Sequence, residues 1–530
     1  MYYFYADKNR YSIGSYLILG SLFRAVTIIA LFAIITRIAG FLFRIYLAQE
    51  LGAEMLGIYQ IAFSVFMVLI VIVSSGLPLA VSKLTAGYRA KGDKKSENKT
   101  TTAAFIVGLT VSVFLCGVLF AFQNLFGLLF TDFRCMLILI TLLPAVIASA
   151  VYAVFRGTLW GQRDYFSVGW TELAEQLLRI LFFVIIINFG WLSLDGAMAA
   201  GVSLSIACTI SAILVFIVYL RHGGKIKPPK GHFGPVLKSA VPVTGVRTVS
   251  SLIQPVIALL FPLSLILAGF TNEQALSMFG VAMGMTFPLL FLPGTLTGAL
   301  AFTLIPELSS AVTQKNTGLI ENRIKSAFAF SVFVSMLCVP LFMGLGKEIG
   351  VFLYGPENIT SGVYLARAAW IMVPLSLANI TSSILNSLNL EVKSFIHNII
   401  GGAILLLCVG FLPQFMGVDA LILGMGLCMT ITTLLNVRMI KKHVPIKLGA
   451  IKPIIGMGLI ALGCALLSGL LYPLLERIFP AVINLVLSGG IGLAAFIGLC
   501  MAFKLADVLT YAVIVTSRFK KKSKGIKQPV

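Results

Sequence analysis

Thr36-Arg37-Ile38-Ala39-Gly40-Phe41-Leu42-Phe43-Arg44 lies inside an apolar run from Val26 to Ala48, and its reading decides the fold. A helix needs about 20 apolar residues to cross a bilayer, and this run supplies them. Arg37 falls near the middle of the run, where a lipid-facing charge costs about 2.5–3.5 kcal/mol on insertion scales. Arg44 follows about two helical turns later, ~10.5 Å along the axis, so the two guanidiniums share nearly one face. Two arginines on one side of a membrane helix need a wet cavity, a buried acidic partner or an anionic ligand. Snorkelling accounts for Arg24 at the helix start and is open to Arg44, whereas Arg37 has too far to reach. A polar cavity is the default expectation for such charges, and a structural ion pair is its rival.

Runs of this kind recur from end to end. Of the 530 residues 59% are hydrophobic and 11% are charged, and the mean hydropathy is +1.01. No soluble globular domain has this composition. Barrel strands alternate and are only about 10 residues long, so the runs predict helices. The expected fold is an all-α integral membrane protein with about 14 transmembrane helices. Their cores are expected at 26–48, 58–84, 103–130, 134–156, 166–190, 197–220, 239–267, 275–305, 325–346, 363–388, 394–413, 417–438, 451–473 and 481–504.

The net charge of +21 sits in short connections, and it alternates. Lys94, Lys95 and Lys99 mark one basic loop, Lys225, Lys227 and Lys230 another, and Lys520, Lys521 and Lys522 the tail. The intervening loops carry almost no lysine or arginine, Arg134, Lys347 and Arg477 apart. This asymmetry places both termini in the cytoplasm. The same basic residues suit anionic lipid headgroups and give no sign of nucleic acid. The eight cysteines are scattered through apolar runs and read as small buried hydrophobes. Residues 1–23 lack the features of a cleavable signal, so the first span is expected to direct insertion itself.

The pattern divides the chain. Residues 1–23 form a cytoplasmic lead-in, 24–221 a first lobe of six spans, and 222–233 a cytoplasmic linker rich in Gly, Pro and Lys. A second six-span lobe follows at 234–443, then two helices at 444–510 and a basic tail at 511–530. Gly76-Leu77-Pro78 near the end of the second span and Leu304-Ile305-Pro306-Glu307 near the end of the eighth form a weak internal echo. An offset of six spans is even, so the lobes are expected to be pseudo-symmetric about an axis along the membrane normal.

Charged residues inside spans are the candidates for chemistry. In the fifth span Glu172, Glu175 and Arg179 lie on one stripe, and Glu175 and Arg179 have the spacing of an intrahelical ion pair. That pairing leaves Glu172 over, to be solvated, to bind a proton or to meet an arginine. The seventh span opens with Val241-Pro242-Val243-Thr244-Gly245-Val246-Arg247. Arg247 either joins Arg37 and Arg44 in one cationic cavity or serves as a structural partner for Glu172. Pro144, Pro242, Pro255, Pro262, Pro288, Pro293, Pro340 and Pro374 mark hinge candidates. Glycines in the last two spans suit close helix packing or a lipid-accessible groove. There is no Walker A motif, and His222, His232, His397 and His443 sit in or near loops without clustering. No cofactor and no metal site are expected, and no enzyme chemistry.

Thr36-Arg37-Ile38-x-Gly40-Phe41-x-x-Arg44, Leu51-Gly52-x-x-x-x-Gly57-Ile58-Tyr59-Gln60 and Gly76-Leu77-Pro78-x-Ala80-Val81-Ser82-Lys83 carry a resemblance. With Glu175-Gln176-x-x-Arg179 and Val241-Pro242-Val243-Thr244-x-x-Arg247 in the same order, the chain resembles the stage V sporulation protein B branch of the polysaccharide-exporter flippases. These share a superfamily, MOP, with the MurJ lipid II flippases and the MATE drug exporters. The resemblance implies two six-helix lobes plus two extra helices, and a polyprenyl-pyrophosphate-linked saccharide as substrate. It implies a pyrophosphate-binding role for Arg37, which aligns with the first of the arginines that engage substrate in lipid II flippases. The second is shifted by one residue, with Phe43 at the aligned place and Arg44 beside it. An arginine of the eighth helix has no counterpart, Met283 lying about there. The implied partners are that lipid-linked saccharide, membrane lipids and either H+ or Na+, with the chain acting as a monomer. The alternatives are a MATE-like antiporter of cationic drugs, which needs unpaired acidic residues facing the cavity, and a non-transporting scaffold for envelope synthesis.

Overall fold

The computed structural model describes residues 8–190, 195–314, 317–444 and 451–505. Residues 1–7 of the lead-in and the basic tail 511–530 lie outside the described residues, as do the side chains of Arg24, Pro306 and Glu307. All regular elements among the described residues are helical.

The first unit begins with α1 (Lys8–Ser74), α2 (Leu77–Ala90) and α3 (Lys94–Ala121), followed by the short α4 (Gln123–Gly127). It continues through α5 (Arg134–Gly161), α6 (Tyr165–Phe189), α7 (Gly196–Arg221), α8 (Phe233–Ser251) and α9 (Ile253–Leu267). Then come α10 (Asn272–Phe279), a π-helical segment Gly280–Thr286, α11 (Phe287–Phe291), α12 (Gly294–Thr313) and α13 (Thr317–Tyr354). α14 (Ile359–Ala368), α15 (Met372–Ser387), α16 (Glu391–Phe411), the short α17 (Pro413–Met416) and α18 (Asp419–His443) precede the last pair, α19 (Ile451–Leu475) and α20 (Ala481–Ala502).

Twelve of these segments are long and apolar enough to cross a membrane. The first, Leu31–Ala90, has 60 residues and is far too long for one crossing. It bends at Gly52, whose φ of 67° and ψ of 177° belong to a region that only glycine adopts without strain. α6 has the length of a span, at 25 residues, and Glu172, Glu175 and Arg179 keep it from reading as purely apolar. Counting the bent segment twice and adding α6 gives the fourteen spans expected from the sequence.

Several spans are broken. The seventh divides into α8 and α9 at Leu252, three residues before Pro255. The eighth passes from α10 through the π-helical segment to α11 and α12, which are separated at Leu292 and Pro293. A proline removes one intrahelical bond, and a π-turn widens the ladder by one residue, so both create bends. Pro144 and Pro340 instead lie inside the unbroken helices α5 and α13.

By packing, the chain divides into two compact units, Met1–Leu259 and Leu260–Val530. In the first, α1, α2, α3 and α7 all pack on α5. Phe155 is its aromatic centre, meeting Phe105, Phe216 and Tyr219 at 5.7, 5.0 and 5.0 Å between ring centroids. α8 packs on α1, α2 and α3 and so belongs to the first unit by contact. The linker is not slack along its first half. Tyr219 Oη donates to Asn98 Oδ1 at 3.0 Å, Lys225 N to the same oxygen at 3.3 Å, and Lys227 N to Thr102 Oγ1 at 3.1 Å. Gly and Pro in its sequence suggest freedom, and these bonds to α3 remove it.

In the second unit α13 packs against α12, α14, α15, α19 and α20, and α16 packs against α18. Of the glycines in the last two helices, Gly469 and Gly492 lie close against Gly344 and Ser468, whereas Gly463, Gly490 and Gly498 face open space. Their exposed neighbours are large and apolar, including Leu466, Leu470 and Val486. His397 departs from its expected place near a loop, being buried on the face of α16 that meets α18.

Candidate functional site

Arg37, Arg44, Glu172, Glu175 and Arg179 lie in the first unit, on α1 and α6, and Arg247 lies on α8 of the same unit. At one end of the seam between α1 and α6 Phe32 meets Phe166 edge-on at 5.6 Å, and at the other Phe43 meets Phe183 at 5.4 Å. Between them the seam is polar. The Gln176 amide lies against Gly40, 3.7 Å from where a Cβ would stand. Thr36, Gly40 and Phe43 recur at helical spacing and carry this packed face. Arg37 and Arg44 come one residue later on the helix, about 100° around it. Arg37 is exposed and has no hydrogen bond or ion pair with a described residue. Arg44 is half-buried and interacts with its surroundings.

Three polar atoms in this region are sealed from solvent without a hydrogen-bond partner among the described residues: Thr36 Oγ1, Gln176 Nε2 and Arg179 Nε. Two of them are N–H donors, and an unsatisfied buried donor costs about 1–3 kcal/mol. Arg179 is otherwise held tightly. Its Nη2 donates to Tyr59 Oη at 3.0 Å, and its guanidinium lies 4.9 Å from the centre of the Phe43 ring and 6.0 Å from that of Phe63. This aromatic seat supports the cation without an ion pair.

The charge pairing differs from that expected. Among the described residues Glu175 and Arg179 form no salt bridge. Glu172, expected to be left over, is the paired carboxylate: Arg156 Nη1 on α5 donates to it at 3.1 Å. Arg156 also stacks over Trp160 at 4.9 Å and Tyr152 at 5.6 Å. The physical reason is tertiary. α5 and α1 bring better-placed partners to α6 than its own next turn offers. Arg156 and Tyr59 thus hold this region in place, and no local spacing in the sequence announces them.

Arg247 does not meet Glu172 either. α8 crosses the break between α1 and α2, where a Cβ on Gly76 would overlap Ala240 O and Thr244 Oγ1. Arg247 Nη1 donates to Ser75 O at 3.3 Å, just beyond the last residue of α1. The end of a helix presents unsatisfied carbonyls and a negative dipole end, both of which favour a cation. Arg247 is exposed.

Fourteen spans, a mid-span arginine stripe on the first and a broken second span define a class, a multi-pass helical membrane protein whose fold is shared with solved transporters. The fold matches the lipid II flippase MurJ in its inward closed conformation with a TM-score of 0.66, at 15% identity over 90% of this chain and 98% of that one. It matches the inward-facing conformation of a multidrug resistance MATE family transporter of the MOP superfamily at 0.65, with 15% identity over 77% of this chain and 94% of that one. Residues 22–263 match the family described as polysaccharide biosynthesis protein. The chain is homologous to stage V sporulation protein B of Bacillus subtilis, at 25% identity over 78% of this chain and 82% of that protein. It is also homologous to the lipid II flippase MurJ of the same organism, at 22% identity over 80% of this chain and 83% of that one.

Proposed function

We propose that the protein is a flippase that carries a polyprenyl-pyrophosphate-linked saccharide, a precursor of peptidoglycan or another polysaccharide, across the bacterial cytoplasmic membrane. The observation that carries this reading is Arg37, an exposed cation in the middle of the first span with no ion pair among the described residues. A cation at that depth is stable only beside water or an anion. Pyrophosphate is a dense anion, and the planar guanidinium fork suits its oxygens. Arg44 extends the stripe, and Arg247 is the candidate third member of a cationic path. Homology to a lipid II flippase supports the substrate class.

The cycle is alternating access, biased by an ion gradient or by the membrane potential, which is worth about 2.3 kcal/mol per elementary charge per 100 mV. Glu172, Glu175 and Arg179 are the proposed charge-relay residues, with Glu175 the carboxylate not engaged in a salt bridge. The protein acts as a monomer, with both termini cytoplasmic.

The test is reconstitution in liposomes with fluorescent undecaprenyl-pyrophosphate oligosaccharide in one arm and a cationic dye in the other. The account expects transbilayer movement of the lipid and none of the dye. Movement of the dye alone would assign the chain to drug export.

A further inference from the structure

The first unit also holds an apolar cavity of about 390 Å³ between α3, α5 and α7, all three of them spans. Pro144, Ala148, Val151 and Phe155 recur at helical spacing and present one face of α5 to it. From Pro144 to Phe155 the helix rises about 16 Å, so the cavity runs lengthwise along the span. Ala148 and Ala212 are small and leave the room, which Phe105, Phe155 and Phe216 wall at one end. An apolar cavity of about 150 Å³ already holds a benzene ring, and this one is more than twice as large.

The wall selects for hydrocarbon. Its one side-chain hydroxyl is that of Thr209, which spends its proton on Ser205 O at 2.7 Å. No other lining side chain has a hydrogen to donate. Ile213 lines the cavity and is 52% exposed, so the cavity reaches the surface of a spanning helix, where the surroundings are lipid tails.

The aromatic end of the cavity leads to a basic rim. Thr101 Oγ1 and Thr158 Oγ1 are 3.0 Å apart, and Tyr219 Oη bonds Asn98 Oδ1. These contacts bring the start of α3 and the ends of α5 and α7 together. That end carries Lys94, Lys95 and Lys99 on α3, Arg221 in the last turn of α7 and Lys225 just beyond it. The nearby acidic residues are engaged. Glu97 is buried and accepts from Gln162 Nε2 at 2.7 Å, while Asp93 and Asp164 cap α3 and α6 through Ser96 N and Ser167 N. Lys99 precedes Phe105 by about 9 Å of helix rise, a gap that the glycerol and first carbons of a lipid bridge.

We propose that this cavity seats one acyl chain of an anionic phospholipid and that the lysine and arginine rim holds its phosphate. The charge asymmetry that orients the chain also places cations in this loop, but it gives no reason for a headgroup to decide where an acyl chain lies.

The experiment uses the full chain in lipid nanodiscs and needs no transport, so its outcome is independent of the flippase reading. Phosphatidylglycerol or phosphatidylcholine carries the same diazirine-bearing acyl chain, and the peptides labelled on illumination are mapped by mass spectrometry. Labelling of 144–155 and 209–216 should be several-fold higher with phosphatidylglycerol. Ala212→Phe, which fills the cavity, should remove this labelling and leave that of the exposed faces of α19 and α20 unchanged. The triple variant Lys94→Gln, Lys95→Gln, Lys99→Gln, which leaves the wall intact, should lower phosphatidylglycerol labelling to the phosphatidylcholine level. Equal labelling by the two lipids, or labelling that neither variant lowers, would overturn the proposal. So would stronger labelling of these peptides by a diazirine-bearing undecaprenyl pyrophosphate, which would make the cavity a seat for a polyprenyl tail.

Discussion

Arg37 and Arg156 illustrate how two arginines in one unit take different parts. Arg156 has a carboxylate at 3.1 Å and two aromatic faces, the contacts of a structural cation. Arg37 has neither among the described residues. Arg156→Ala should lower stability by about 1–2 kcal/mol, combining a partly exposed ion pair with cation–π contacts. Glu172 keeps 42% side-chain exposure, which screens the pair and holds the loss to that range. Thermal unfolding of the detergent-solubilised protein measures it, and an unchanged midpoint would show that the contacts are incidental. The sequence made the positions of these charges legible but not their partners. Glu172 finds Arg156 at 16 residues' separation, Arg179 finds Tyr59 at 120, and His397 finds Asn436 at 39. Helical spacing predicts neighbours within one helix, and all three choices are made between helices.

At the scale of elements, α8 owes its position to a small residue. Gly76 sits where α1 gives way to α2, and the α8 backbone at Ala240 passes directly over it. Gly76→Ala should push α8 off this junction and draw Arg247 from Ser75, at a cost of about 1–3 kcal/mol for overpacking. Its unfolding midpoint should fall, and an unaltered midpoint would mean that α8 is free to shift. The sequence showed the Gly76-Leu77-Pro78 and Val241–Arg247 motifs separately. That they meet was not legible, because 172 residues separate Ser75 from Arg247 and only tertiary packing joins them. Span number was readable because bilayer thickness sets a length that composition reports directly. The breaks within spans were only partly readable. Pro255 and Pro293 lie at or near real interruptions, whereas Pro144 and Pro340 sit in continuous helices whose neighbours absorb the lost bond.

For the molecule as a whole, the fold matches solved MurJ and MATE structures, and the proposed substrate class rests on what the first span displays. A drug exporter needs unpaired carboxylates toward its path. This chain spends Glu172 on Arg156 and presents Arg37, which leaves Glu175, in no salt bridge among the described residues, as the carboxylate that drug export would have to use. The central claim is that Arg37 holds the pyrophosphate during passage. The most direct measurement compares wild type with Arg37→Ala and Arg37→Lys in proteoliposomes carrying a labelled undecaprenyl-pyrophosphate oligosaccharide, under an imposed membrane potential. The account predicts flipping by wild type, its loss in Arg37→Ala with folding intact, and partial activity in Arg37→Lys, which keeps the charge but not the fork. Wild-type rates in a well-folded Arg37→Ala protein would contradict it.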